Sequence, residues 1–152
     1  MLRGASPPLV AIVRLRKNKA WVLPKGKLKQ EEDALAAARR EVTEETGHDV
    51  TVHEYLGALE SASGARPKLV QFWRMQAAPK PSRKLMRDVK AVKWLPLDRA
   101  IETLTHPHER AFLREIGPAA LRAAERSATE RQGTLIARLG EWLRRLLQRP
   151  AW

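Results

Sequence analysis

Glu41, Glu44 and Glu45 stand within five residues of one another in a stretch rich in Ala, Leu, Arg and Glu. On a helix advancing by about 100° per residue, Glu44 lies at roughly 300° and Glu45 at roughly 40° from Glu41, so all three share one side. Like charges three or four residues apart each destabilise a helix by roughly 0.2–0.5 kcal/mol. Arg40, four residues before Glu44, relieves part of that repulsion, and a divalent cation would remove the rest. The donors are all oxygens, with no cysteine in the chain and only His48 close by. That set suits Mg²⁺ or Mn²⁺ rather than zinc. Most charge-rich helix faces are simply solvated. This one sits in a chain with 29 Lys+Arg against 17 Asp+Glu and a formal net charge of +12. A carboxylate knot inside so basic a protein points to a cation site facing an anionic substrate.

The carboxylates need a helix and a loop to place them. Asp33 to Thr46 is predicted helical, with acids at its start and Gly47 where a C-terminal cap belongs. Leu35, Ala38 and Val42 form its expected core stripe. Ala34 and Ala37 fall on the carboxylate side, where small residues leave room for something bulky. Ahead of the helix, Pro8–Arg16 reads as a strand, 17–19 as a turn and Ala20–Leu23 as a second strand. Pro24 ends that strand, and the loop to Gln30 delivers the chain into the acidic stretch. Further strands are expected at Asp49–Leu59, Lys68–Gln76 and Val89–Leu95, then a short helix through Leu104 capped by Asp98. From His108 the chain reads as helical, with a break at Gly117-Pro118. Mixed strands and helices argue α/β (α+β) with a helical tail.

At 152 residues, 43% hydrophobic and 30% charged, the composition is that of a globular protein with one sizeable core. The lack of cysteine excludes disulfides, thiolate chemistry and Cys-based zinc sites, and fits a reducing, cytoplasmic setting. No apolar run approaches a membrane span, and Arg3, Pro7 and Pro8 interrupt any signal-peptide core in Met1–Val13. A pI near 10.9 favours anionic partners without choosing among nucleotides, polyphosphates and nucleic acid.

The complete pattern is more specific. Gly26, five residues, Glu32, seven residues, then Arg40-Glu41-Val42-Thr43-Glu44-Glu45-Thr46-Gly47 resembles the Nudix hydrolase signature, G-x5-E-x7-R-E-U-x-E-E-x-G-U. His48 stands where an aliphatic residue is usual, at a packing position. Outside the box, Trp21-Val22-Leu23-Pro24-Lys25-Gly26 is similar to the lead-in of Nudix enzymes acting on dinucleoside polyphosphates, diphosphoinositol polyphosphates and some nucleoside triphosphates. Val92–Leu97 resembles the family's late strand and following helix. The resemblance covers roughly Pro8 to Ile116.

It implies a Nudix-type α/β/α sandwich with a mixed β-sheet. Residues 1–117 would be the Nudix domain, and 118–152 a helical extension packed on the domain or in a dimer interface. It implies Mg²⁺ (or Mn²⁺) held by Glu41 and Glu45, with Glu44 as a third ligand and the carbonyl near Gly26 contributing. Glu44 or Glu41 would serve as general base, with Asp88 as a possible extra carboxylate and Glu60 a weaker candidate. Arg40 and Glu32 would be the pair that orients loop and helix, and Gly47 the structural glycine closing the box.

Residues Arg66 to Lys93 hold nine Lys/Arg against one acid, Asp88. Lys25, Lys27, Arg66 and Lys68 are the candidate phosphate contacts, and half of such a segment is expected to be solvated surface. Trp73 heads the candidates for stacking a base, with Phe72 and Tyr55; strand aromatics are more often core. His106 and His108 read as phosphate contacts or helix-start polar groups.

The expected function is Mg-dependent cleavage of a phosphoanhydride bond in nucleoside or dinucleoside polyphosphates. Alternatives are a diphosphoinositol polyphosphate phosphohydrolase, a nucleoside triphosphate sanitising pyrophosphatase and, from another class, a basic nucleic-acid-binding module. The expected partner is an anionic polyphosphate small molecule, with a homodimer as the second reading of the tail. No stable nucleic-acid or membrane partner is expected.

Overall fold

The apolar run Leu9–Leu15 forms β2, the strand around which the sheet is assembled. Its residues Val10 to Val13 are all buried. The structure is a computed structural model that describes residues 2–3, 7–26, 28–61 and 68–147. Along its length β2 pairs antiparallel with β1 (Leu2–Arg3), β3 (Trp21–Val22) and β6 (Val89–Leu95). β1 also pairs in parallel with β5 (Lys68–Ala77), and β5 pairs antiparallel with β4 (Val50–Ser61). The sheet order is β3-β2-β1-β5-β4, with β6 on β2. It is the mixed sheet expected.

Among the described residues three helices cover it: α1 (Ala34–Thr46), α2 (Leu97–Thr103) and α3 (Pro107–Leu147). Alternation along β5 assigns their faces, because successive strand side chains point to opposite sides. Phe72 packs with the cluster formed by Val10, Ile12, Leu104, Phe112 and Leu113, under α2 and α3. Trp73 and Met75 pack with Val42 and Val50, under α1. The sheet therefore lies between α1 on one face and α2/α3 on the other, an α/β/α sandwich. Among the described residues no helix is long and apolar enough to cross a membrane.

Four local expectations are corrected. Asp33 is the N-cap of α1, accepting the Ala36 N–H at 2.8 Å, and the first helical turn carries no acid. Of the predicted stripe, Val42 and Ala38 pack in the core under α1, while Leu35 is 40% exposed. Ala37, Glu41, Val42, Glu45 and Thr46 are the buried residues, which turns two carboxylates inward with the apolar ones. Asp98 lies in the first turn of α2 and Pro96 is its cap residue, with no side-chain cap bond. Finally, α3 runs unbroken through Pro118. A Cβ on Gly117 would meet Leu97 at 2.5 Å, so the backbone there is pressed against α2. Pro118 itself is exposed. Water can therefore solvate the Arg114 carbonyl that loses its partner, and packing overrides the break.

Candidate active site

The loop after β3 runs directly against α1. A Cβ on Gly26 would fall 1.8 Å from the Glu41 carboxyl carbon, so only glycine lets the backbone pass this close. One residue earlier, the Lys25 N–H donates to Glu45 Oε2 at 2.9 Å. At the far end of α1, Gly47 adopts φ 75° and its N–H returns to the Thr43 carbonyl. Its carbonyl accepts from Ser82 and Arg83, which ties the loop before β6 to the helix end. His48 is buried, bonded through Nδ1 to the Ala78 carbonyl at 2.8 Å and set edge-on against Trp94. It fills the packing position expected of it.

Arg40 lies among the acids. Its Nε and Nη2 grip both oxygens of Glu32 at 2.8 and 2.9 Å, while Nη1 donates to Glu41 Oε1 at 2.8 Å and Glu44 Oε2 at 3.1 Å. Glu32 also accepts the Lys29 N–H. These bonds, Arg40 foremost, hold its carboxyl down at about 2. The fork-on-carboxylate geometry fixes the loop that carries Gly26 relative to the helix that carries the glutamates.

Glu45 has the opposite electrostatics. Only 6% exposed, its carboxyl is pushed up to about 8, chiefly by burial and further by Glu41 and Glu109, against the pull of the Lys25 N–H. Glu41, 8% exposed, lies one turn away. Two buried, mutually repelling carboxylates with an all-oxygen donor set are what a hard divalent cation relieves. Among the described residues, no group of three or more His, Cys, Asp or Glu is gathered closely enough to hold a metal. The reason is visible in the bonding: Arg40 engages Glu41 and Glu44 while Glu45 faces Lys25. The donors fit the ion, and a cation drawing on all three glutamates has to compete with Arg40.

Beside these groups opens a cleft of about 580 Å³ between the loop, α1 and β5. Pro24, Lys25, Gly26, Ala34, Ala37, Lys68 and Gln71 are among its lining residues, so the two alanines leave the room expected. Among the described residues no aromatic side chain lines it. Trp73 packs under α1 with Tyr55 edge-on at 5.4 Å, and Phe72 packs on Phe112. The basic segment disperses. Lys68 reaches the cleft, Arg74 is buried and paired with Glu54 at 2.7 Å, and Lys93 lies over the Trp21 ring at 4.7 Å. Lys27 and Arg66 lie outside the described residues. Asp88 and Glu60 are exposed, the former touching Arg16 through its backbone carbonyl. The His106 and His108 rings stack on one another.

One residue was missed. Glu109, on the first turn of α3, is fully buried, accepting the Leu23 N–H at 2.9 Å and pairing with the Lys25 ammonium. In the sequence it reads as an ordinary helix-start acid. The usable signal was Lys25 itself, a cation placed beside a glycine that has to run against carboxylates.

Residues 2–116 match the NUDIX domain, and the chain belongs to the Nudix hydrolase family. It is 34% identical over 108 residues to an 8-oxo-(d)GTP phosphatase of Mycolicibacterium smegmatis, a match covering 69% of this chain and 32% of that protein. It is 30% identical over 98 residues to Nudix hydrolase 8 of Arabidopsis thaliana, covering 63% and 27% respectively. The chain thus spans less than a third of either relative. In structure it resembles a C. elegans Ap4A hydrolase with a TM-score of 0.69 and 24% identity, over 77% of this chain and 90% of that one. That last likeness is one of fold. Nudix hydrolases generally use divalent metals such as Mg²⁺.

Proposed function

We propose that this chain hydrolyses a phosphoanhydride bond of a nucleoside or dinucleoside polyphosphate with the help of a divalent cation. The observation that carries the reading is the pair of buried carboxylates, Glu41 and Glu45, beside a roomy cleft reached by Lys68. Glu41 and Glu45, with Glu44 and the backbone near Gly26, would hold Mg²⁺ or Mn²⁺. When bound, the ion supplies charge neutralisation at the phosphate oxygens and acidifies a water.

The chain's own groups do the rest. Glu44 or Glu41 accepts the proton of the water that attacks phosphorus. As the new P–O bond forms, the bridging P–O bond breaks and the leaving phosphate carries off the electron pair. Arg40 and Glu32 keep loop and helix in register, so the carboxylates meet the substrate already placed; this reaction depends chiefly on placement and electrostatics.

Two observations bear on the substrate. The M. smegmatis relative is named for 8-oxo-(d)GTP, which favours nucleoside triphosphates, oxidised purines included, within the class. The dispersal of the basic segment gives the diphosphoinositol alternative less support: Lys68 lines the cleft, whereas Arg74 is paired with Glu54 and Lys93 lies over Trp21.

A panel of nucleoside triphosphates with their 8-oxo forms, dinucleoside polyphosphates, ADP-ribose and diphosphoinositol polyphosphates, assayed with and without Mg²⁺, tests the reading. Mg²⁺-dependent release from a nucleoside or dinucleoside polyphosphate is expected. Turnover of the inositol compounds alone would overturn the substrate class, and salt-sensitive nucleic-acid retention with no hydrolysis would overturn the enzyme reading.

A further inference from the structure

We propose that Glu109 is a positioning residue for the cation site, holding the Lys25 ammonium away from the carboxylates against which the Lys25 backbone is bonded. The inference rests on the reading of Glu41 and Glu45 as cation ligands.

Lys25 occupies an awkward place. Its N–H is bonded to Glu45, and the next residue, Gly26, runs against the Glu41 carboxyl. An ammonium on a four-carbon stem at this point has both carboxylates within reach. Settled on them, it would neutralise the charge that attracts a metal and compete with it directly. Instead the ammonium pairs with Glu109, whose side chain is fully buried. The other Glu109 oxygen accepts the Leu23 N–H at 2.9 Å. One carboxylate therefore grips the loop on both sides of Pro24, at Leu23 through backbone and at Lys25 through side chain. The grip has a fixed base: the Trp21 N–H donates to Thr105 Oγ1, and the Thr105 N–H donates to the Trp21 carbonyl, both at 2.9 Å. These bonds fasten the chain just before α3 to β3, so the first turn of α3 cannot drift from the loop it braces. A buried carboxylate lacking a partner is strongly unfavourable, which makes the pair self-enforcing. In this arrangement Lys25 offers the cleft its backbone and stem, and its charge is spent on Glu109.

Mn²⁺ binding, read from the free-ion signal in electron paramagnetic resonance, tests the proposal without requiring turnover. Glu109→Gln keeps an acceptor for the Leu23 N–H and removes the charge that holds Lys25. The Mn²⁺ dissociation constant is expected to rise by about tenfold or more, the usual range for a group that acts through a ligand's surroundings. Adding Lys25→Met to that variant removes the freed competitor and should return the constant to within about threefold of wild type. If Glu109→Gln alone does not fold, the double variant, which leaves no buried charge without a partner, carries the test: binding weakened more than about threefold would overturn the positioning role. Unchanged binding in Glu109→Gln, or a loss that Lys25→Met does not restore, would overturn the positioning role while leaving the cation site standing. A wild-type protein that binds no Mn²⁺ would overturn both.

Discussion

At the scale of single residues, Gly26 and Glu45 make opposite demands on the same few ångströms. Gly26 has to be small. Its Cβ would lie 1.8 Å from the Glu41 carboxyl carbon, so Gly26→Ala must displace Glu41 or the loop. A misplacement of about 1 Å can cost on the order of 100-fold in rate, and Mg²⁺-dependent hydrolysis by Gly26→Ala should fall by about that factor with the circular dichroism spectrum unchanged. Glu45 has to be buried, and burial raises its carboxyl to about 8 from an ordinary value near 4.5. A folded-state value above the unfolded one means the folded protein binds the proton more tightly. The resulting stability falls as pH rises from about 4.5 to about 8 and levels off beyond, each unit of displacement being worth about 1.4 kcal/mol. In EDTA, Glu45→Gln should therefore melt above wild type at pH 8.5 and close to it at pH 4.5. Mg²⁺ should raise the wild-type melting temperature more at the higher pH. Thermal scans at the two pH values, with and without metal, check this.

At the scale of elements, α1 was legible because its determinants are local: good helix formers, Gly47 at the end and carboxylates at fixed spacing. Strands β2, β5 and β6 were legible for the same reason, as short β-branched and aromatic runs bounded by turn residues. The inward face of α1 was legible at Ala38 and Val42, but the burial of Glu41 and Glu45 was not. That depends on Gly26 and Lys25 approaching from elsewhere in the chain, and their approach makes Glu41 and Glu45 buried while Leu35 is exposed. Glu109 was illegible on the same grounds, its partners Leu23 and Lys25 lying 86 and 84 residues away. The continuity of α3 through Pro118 is another tertiary override, produced by Gly117 pressed on Leu97. It carries a prediction. Pro118 is exposed, so Pro118→Ala restores a backbone bond without removing packing and should raise the unfolding free energy by about 1–3 kcal/mol in denaturant titrations.

At the scale of the molecule, α3 has two different halves. Phe112, Leu113 and Ala120 are buried, and Leu121 and Ala124 pack on the same core. Ser127 and Arg131 still bond to Arg74 and Gln76 on β5. Beyond them Leu135, Ile136, Leu139, Trp142 and Leu143 are 48–65% exposed. We propose that the stable unit reaches residue 131, further than the boundary at 117 read from the sequence. Deleting residues 132–152 should then move the melting temperature by no more than about 2 °C, whereas deleting from 118 should lower it well beyond that. The rest of the molecule serves the site electrostatically. On the proposed reading, a net charge of +12 would draw anionic substrates toward a cleft set beside Glu41 and Glu45, which would repel them without a cation.

The cation is therefore the central claim, and Glu45 is where it is most exposed to refutation. The direct measurement is the Mg²⁺-dependent rate of hydrolysis by Glu45→Gln beside wild type, on the best substrate of the panel, with both proteins shown folded by circular dichroism. Loss of the carboxylate charge should lower the rate by about two to three orders of magnitude, as removal of a key electrostatic group does. A folded Glu45→Gln protein that turns over at the wild-type rate with the same Mg²⁺ dependence would contradict the account.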